Sequence, residues 1–211
     1  MSVKKDYYKK LADTVIKGFT KRHIEGYYCD SVEEARTLAM SLVPSGASAA
    51  FGGSVTLTET GVLDALRDRE DITLFDRSKA KSPEETKKIF HDALSCDYFF
   101  MSSNAITQDG ELINIDGTGN RVAALIYGPE YVIILAGMNK IVKDVEEGIS
   151  RSHNTAASQN CIRLEKNTPC SVTGVCGNCL NNTICDQIVI TRSCHIPNRI
   201  KVILIGEELG F

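Results

Sequence analysis

An α/β domain built on a mostly parallel sheet, flanked by helices on both faces, is the fold class expected from this sequence. Three observations point to it. Strand-like apolar runs and amphipathic helical stretches alternate along the chain. The runs at 98–101, 131–136 and 200–205 are almost continuously apolar, as strands buried on both faces are. A paired-glycine turn, Gly52-Gly53, follows one such run, and ligands in folds of this kind sit at the carboxyl ends of strands.

The elements follow in order. Tyr7, Tyr8, Leu11, Val15, Ile16 and Phe19 fall near one face of a first helix. Ser31-Val32-Glu33-Glu34 reads as a capping box opening a helix to about Val43, stopped by Pro44. Residues 47–51 form a short strand, and 58–69 carry Val62, Leu63 and Leu66 at helical spacing. A strand is expected over 72–75. Ser82-Pro83-Glu84-Glu85 then starts a helix, with Ser as cap and Pro in the first turn. Residues 98–101 are strand-like, 111–115 alternate polar and apolar, and 120–127 fit either a helix or a buried strand. Residues 131–136 read as a strand, 143–159 as a helix, and 188–191 and 200–205 as strands.

The 211 residues fit a single domain, 1–211. A net charge of −3 gives no support to a nucleic-acid footprint or a polybasic membrane patch. No apolar run approaches the length of a membrane span, and the charged start, MSVKKDYYKKLADTVIKGF, lacks the core of an export signal. The sequon at Asn181-Asn182-Thr183 carries no meaning without export. A cytoplasmic location is expected. Clustered cysteines in that reducing setting are more often metal ligands or redox groups than disulfides. There are 8 Cys, and most fall late in the chain, within a Cys-rich stretch over 161–194.

Two segments carry candidate ligand chemistry. In Gly52-Gly53-Ser54-Val55-Thr56 the glycines let backbone approach a ligand, and Ser54 and Thr56 add hydroxyls before a helix. A phosphate or carboxylate would suit this turn, and a plain turn explains the glycines equally. The second segment, 102–121, gathers Asn104, Thr107, Asp109, Glu111, Asn114, Asp116, Gly119, Asn120 and Arg121 between apolar strands. Asp109-Gly110 is a hairpin turn, and Asp116-Gly117-Thr118-Gly119 is another tight turn. Asp109, Glu111 and Asp116 are the acid/base candidates, and Arg121 could hold an anion in a bidentate contact.

GGSVTLTETGVLDAL, SSNAITQDGELINIDGTGNRVAALIYGP and VIILAGMNKIV, in that order, resemble the LUD domain of the lactate-utilization protein family, as does the terminal RIKVILIGEELGF. The resemblance covers about residues 32–211. It implies a fold shared with ribose-5-phosphate isomerase, glucosamine-6-phosphate deaminase and CoA transferases. By the isomerase likeness, Ser54 and Thr56 would contact an anion, and Asp109, Glu111 or Asp116 would transfer protons. The isomerase motif has a lysine in its Gly-rich turn, whereas this turn is Asp116-Gly117-Thr118-Gly119-Asn120. Members named for lactate utilization act beside iron–sulfur and FAD-linked partners in oxidising lactate to pyruvate. Lys140, in the matching Gly137-Met138-Asn139-Lys140, is either an anion contact or an exposed helix-start lysine.

Cys170, Cys176, Cys179 and Cys185 have the spacing C-x5-C-x2-C-x5-C among flexible Gly and Asn residues. Four thiolates in such a segment would complete a [4Fe–4S] cluster or a zinc site. One C-x2-C flanked by single cysteines suits a cubane better than the paired knuckles of structural zinc. Compact LUD-type proteins with a similar TPC…TG.CG.C segment look like cluster binders. Cys161 and Cys194 are substitute ligands or small buried residues, and Cys29 and Cys96 read as core. The four histidines show no paired ligand spacing, His195 standing beside Cys194.

The leading expectation is therefore a LUD-type protein that binds a small anionic hydroxy-carboxylate near an iron–sulfur centre and takes part in converting lactate-like substrates. An isomerase-like enzyme for a sugar phosphate or hydroxy-carbonyl compound is the first alternative. A non-enzymatic redox-sensing or metabolite-binding module with structural zinc is the second. Redox partner proteins and a homo-oligomer both fit.

Overall fold

The computed structural model describes residues 2–211. In chain order the elements are α1 (Val3–Lys21), β1 (Glu25–Cys29), α2 (Val32–Ser41), β2 (Ser48–Phe51), α3 (Val55–Glu59), α4 (Val62–Arg67) and β3 (Thr73–Phe75). There follow α5 (Pro83–Asp92), β4 (Tyr98–Met101), β5 (Ala105–Thr107), β6 (Leu112–Asp116), α6 (Asn120–Ile126), β7 (Tyr131–Gly137) and β8 (Ile141–Val142). The chain ends with α7 (Val145–Arg151), α8 (Ser158–Arg163), α9 (Pro169–Thr173), β9 (Gln187–Thr191) and β10 (Ile200–Ile205).

Six strands form one all-parallel sheet in the order β1-β10-β7-β4-β2-β3. Its central strands are almost continuously apolar, Lys201 of β10 being an exception, because both faces are covered. On one face Ala50, Phe99, Met101, Val132, Ile134, Val202 and Leu204 pack with Ala12, Val15 and Phe19 of α1. Alternate residues Ala49, Phe51, Phe100, Ile133, Leu135, Ile203 and Ile205 pack on the other face with α2, α3 and α4. The period-2 alternation of strand side chains thus builds two cores from one sheet.

The caps act as their sequences require. The Ser31, Ser54 and Ser82 side chains accept from the backbone N–H groups three residues on, opening α2, α3 and α5. The helix expected over 58–69 is instead two short helices, because Gly61 turns left-handed (φ +68°) between α3 and α4. Residues 120–127, open between helix and strand, form α6. The helix expected over 143–159 is a continuous run, α7 to α8, joined by a π-helical turn over Ser152–Ala157. Strand β1 was not anticipated. Its Glu-Gly-Tyr-Tyr-Cys sequence lacks an apolar pattern, and it is fixed by pairing with β10, where Glu25 and Lys201 are register partners and an ion pair.

A smaller sheet, β8-β5-β6-β9, stands beside the first. Its β5–β6 hairpin turns at Asp109-Gly110, as read from the sequence, with Gly110 at φ +89°. This turn lies against α1, where Gly18 leaves no room for a side chain: a Cβ there would run into the Asp109 carbonyl. The parallel register aligns the carboxyl ends of β2, β4, β7 and β10 along one edge, pairing Phe51 with Phe100, Met101 with Ile134 and Gly137 with Ile205. The segments leaving that edge form the cavity described next.

A glycine inside a helix ordinarily costs up to about 1 kcal/mol relative to alanine. Gly18→Ala should reverse that sign and destabilise the protein by about 1–3 kcal/mol through overpacking on the hairpin. A lowered urea midpoint with an unchanged m-value would show it.

Candidate functional site

A cavity of about 310 Å³ opens at the carboxyl edge of the sheet. The turn after β2 brings Gly53, Ser54 and Thr56 to it, and the turn after β4 brings Ser102, Ser103 and Asn104. Asp116, Gly117, Thr118, Asn120 and Arg121 enter from the end of β6 and the start of α6, and Lys140 from the turn after β7. Arg77, Asn160 and Arg163 complete the polar wall. Four cationic side chains therefore face the cavity with one side-chain carboxylate, that of Asp116.

The glycine pair makes room for arginine. A Cβ on Gly52 would stand 3.0 Å from the Cγ and Cδ of Arg121, and one on Gly53 would collide with the Arg77 guanidinium. Ser54 caps α3 by accepting from the Leu57 N–H. Gly52 itself lies behind the cavity wall and donates its N–H to the Phe100 carbonyl at 2.9 Å.

Arg121 holds the edge together. Its Nη1 donates to the Ser102 carbonyl (3.0 Å) and Asn114 Oδ1 (2.5 Å), and its Nη2 to Asn104 Oδ1 (3.0 Å) and the Ile115 carbonyl (2.6 Å). Nε pairs with Asp116 at 3.2 Å. All five guanidinium N–H bonds are thus committed inside the protein. The bidentate anion contact expected of Arg121 has no donors left to make it, and the residue serves to join β4, β6 and α6. Asn114 is fully buried and reaches the site only through Arg121. Asn104 accepts from both Arg121 and the Ile115 N–H. Asp116 accepts from the Gly119 N–H at 2.8 Å, fixing the tight turn in which Gly119 is left-handed.

Lys140 is not an exposed helix-start lysine. It is 4% exposed, and its Nζ donates to Thr56 Oγ1 and Ser102 Oγ, both at 3.0 Å. No carboxylate lies within ion-pair distance of it among the described residues. Burial, then the charges of Arg151 and Arg121, bring its pKa down to about 7, with Glu59 opposing weakly. Arg151 is itself tied to the Asn139 and Asn104 carbonyls.

Asp109 and Glu111 stand apart from this cavity. Both pair with Arg22 at the end of α1, at 2.5 and 3.3 Å, and Glu111 also accepts from Thr107 Oγ1. Thr107 is buried and in turn accepts from the Glu111 N–H. The hairpin places all three on its α1 side, so of the three acid/base candidates only Asp116 lines the cavity.

The cysteines divide as follows. Cys29, Cys96 and Cys194 are buried in the two main cores. Cys161 on α8 makes a side-chain contact with Cys170 at the start of α9. Burial works to raise the Cys170 thiol, but hydrogen bonds from Thr168 and Cys161 outweigh it and leave Cys170 the more acidic of the two. Burial pushes Cys185 up to about 11. Cys176 Sγ lies 3.7 Å from Nδ1 of His153 on the π-helical turn. Cys161, Cys170, Cys176, Cys179 and Cys185 are near enough to influence one another electrostatically. Among the described residues no three His, Cys, Asp or Glu side chains converge as a ready-made metal site.

The sequence did not single out Arg77, Ser102, Arg151, His153, Asn160 or Arg163. Four of these, Arg151, His153, Asn160 and Arg163, lie on the α7–α8 run, whose polar residues look like an ordinary solvated helix face. The π-helical turn, a feature enriched at functional positions, redirects that face and has no sequence signature.

These features define a parallel α/β domain with a cation-lined cavity at the carboxyl edge of its sheet. The chain belongs to the LUD domain family, whose model matches residues 12–205. Its structure is similar to that of a DUF162 family protein from Deinococcus radiodurans, with a TM-score of 0.51 and 13% identity over 97% of this chain and 99% of that one. It also overlaps an eIF2B-beta2-delta2 complex chain from C. thermophilum, at a TM-score of 0.38 and 18% identity, covering 55% of this chain and 43% of that one. No curated protein sequence matches it. No helix of the described residues is long and apolar enough to cross a membrane.

Two stability outcomes separate the roles of the buried cations. Arg121→Lys brings at most three donors to five partners, leaving at least two without one, and should cost about 2–4 kcal/mol, measured by chemical unfolding. Lys140 behaves differently. Its native pKa of about 7 lies below the ordinary 10.5, so between these values the unfolded chain binds a proton that the native protein lacks. Stability should rise through this window as pH increases, and the slope should be smaller in Lys140→Met when both are melted across it.

Proposed function

We propose that the cavity binds a small anionic hydroxy-carboxylate or a related metabolite, and that the protein serves in the conversion of lactate-like substrates. One observation carries this reading: four cationic side chains face the cavity against a single side-chain carboxylate, and that carboxylate is already paired with Arg121. Among the described residues Lys140, Arg77 and Arg163 make no ion pair with a carboxylate, so an anionic ligand would meet uncompensated positive charge in a partly desolvated space. The volume suits a small metabolite. Ser54, Thr56, Asn104, Asn120 and Thr118 supply hydroxyls and amides that would orient it. Family membership adds lactate utilization as the context.

We further propose that Cys170, Cys176, Cys179 and Cys185 hold an iron–sulfur cluster. The donor chemistry fits: the segment offers soft thiols, with Cys161 as a fifth beside Cys170. The thiols stand apart here, so the segment would have to draw in around the metal. Such a cluster would supply one-electron transfer, which the side chains cannot. The segment adjoins the cavity through Ile184. A reducing cytoplasm and a redox partner protein suit this arrangement.

A second reading, an isomerase acting on a hydroxy-carbonyl compound, is favoured by the meeting of Asp116 and a buried amine at one cavity. Calorimetry with lactate, glycerate and ribose 5-phosphate discriminates. Tighter binding of the hydroxy acids, weakened about tenfold or more in Lys140→Met, supports the first reading, and preference for the sugar phosphate supports the second. Anaerobically prepared protein should carry about four Fe per chain. One Zn and no Fe would rule the cluster out.

A further inference from the structure

Lys140 has the surroundings of a nucleophile, and this step rests on the reading of the cavity as a carboxylate site. We propose that Nζ of Lys140 condenses with the carbonyl carbon of a small 2-oxo acid to form an imine in the cavity. Three structural facts lead there.

First, Nζ is buried, lines the cavity and has no carboxylate partner among the described residues. A lysine kept only to balance charge would be paired with one. Second, its two hydrogen bonds go to hydroxyl oxygens, Thr56 Oγ1 and Ser102 Oγ. Two donated bonds use both N–H groups of a neutral amine and leave its lone pair as the unused valence. Third, the charged groups around it favour the neutral form. Arg151 from α7 and Arg121 from α6 are both cationic and half-buried, and Glu59 from α3 is the opposing charge. Desolvation acts in the same direction, and the combined result is a pKa of about 7.

The ligand class follows from two requirements. An amine nucleophile requires a carbonyl carbon, and the surplus of positive charge in the lining requires an anion. A carbonyl directly bonded to a carboxylate meets both within a small volume, and a 2-oxo acid is the oxidised counterpart of a 2-hydroxy acid. The step balances without any oxidant or reductant. The N–C bond forms as the carbonyl π-bond opens to a carbinolamine. Both amine protons then leave with the former carbonyl oxygen as one water, giving the neutral imine. The Thr56 and Ser102 hydroxyls, 3.0 Å from Nζ, are positioning groups that can pass these protons.

The test is reductive trapping. The full-length protein is incubated at pH 7.5 with pyruvate and cyanoborohydride, then peptide-mapped by mass spectrometry, while pyruvate binding is measured separately by calorimetry. The expected result is a reduced pyruvate adduct at Lys140 that exceeds labelling of any other lysine by several hundredfold, reflecting its larger free-amine fraction. Lactate should suppress it by occupying the cavity without a carbonyl, and acetone, which lacks the carboxylate, should label Lys140 far less. Labelling should reach half its maximum near pH 7. Lys140→Met should lose the adduct, and if that variant does not fold, the wild-type map decides alone. Pyruvate binding without enrichment at Lys140 would overturn the imine and leave the carboxylate site standing. Absence of both binding and adduct would overturn both.

Discussion

The carboxyl edge of this protein depends on one buried guanidinium. A charge removed from water must find its full set of partners inside the fold, or it costs several kcal/mol. Arg121 finds five, drawn from the end of β4, the two asparagines of the β5–β6 region, and the end of β6. Gly52 is the matching concession in the backbone, since any side chain there would press on the aliphatic part of the same arginine. The turns after three strands are thereby held in one arrangement. This is a positional constraint more than a stabilising one, because apolar replacements of buried ion pairs are often just as stable.

The same guanidinium sets the electrostatics of the cavity. Asp116 neutralises Arg121 only locally, and Arg151 is tied to carbonyl oxygens, so neither pairing offers Lys140 a counter-charge. An amine that is buried, and that has two half-buried cations near it, loses its proton more readily than one in water. A site selective for anions and a lysine that is neutral near physiological pH are thus two results of one arrangement. Arg121 and Arg151 add to both, while burial remains the larger cause for Lys140, and Arg77 and Arg163 add further positive charge to the lining.

Much of the fold was legible because burial on both faces leaves a plain sequence record. Strands β2, β4, β7 and β10 are apolar runs, and Ser31 and Ser82 announce their helices. Strand β1 left no such record: it takes its place from pairing with β10, a long-range constraint. Likewise, Gly61 gave no local sign that it would split a helix. For the site, Ser54, Thr56, Asn104, Asp116, Asn120 and Lys140 were legible as polar residues at strand ends, and they do line the cavity. Asp109 and Glu111 carry equal chemical promise, but the hairpin directs them to Arg22. Chemistry is read from residue type, whereas the side of a hairpin is decided by what packs behind it, here Gly18 of α1.

The cysteine segment is joined to the cavity by backbone, independently of any ligand its thiols hold. Ile184, one residue before Cys185, lines the cavity. Its Cα would lie 3.3 Å from a Cβ on Gly117, so the Asp116-Gly117-Thr118-Gly119 turn packs directly on the segment. On the opposite side, Cys161 belongs to the same helix as Asn160 and Arg163, which line the cavity too. A change in how Cys161, Cys170 and Cys185 are held therefore acts on two walls at once: the turn that carries Asp116, and the helix that carries Arg163. Packed interiors transmit such displacements because they have little free volume to absorb them. The cysteine segment and these two walls of the cavity are therefore packed as one connected unit.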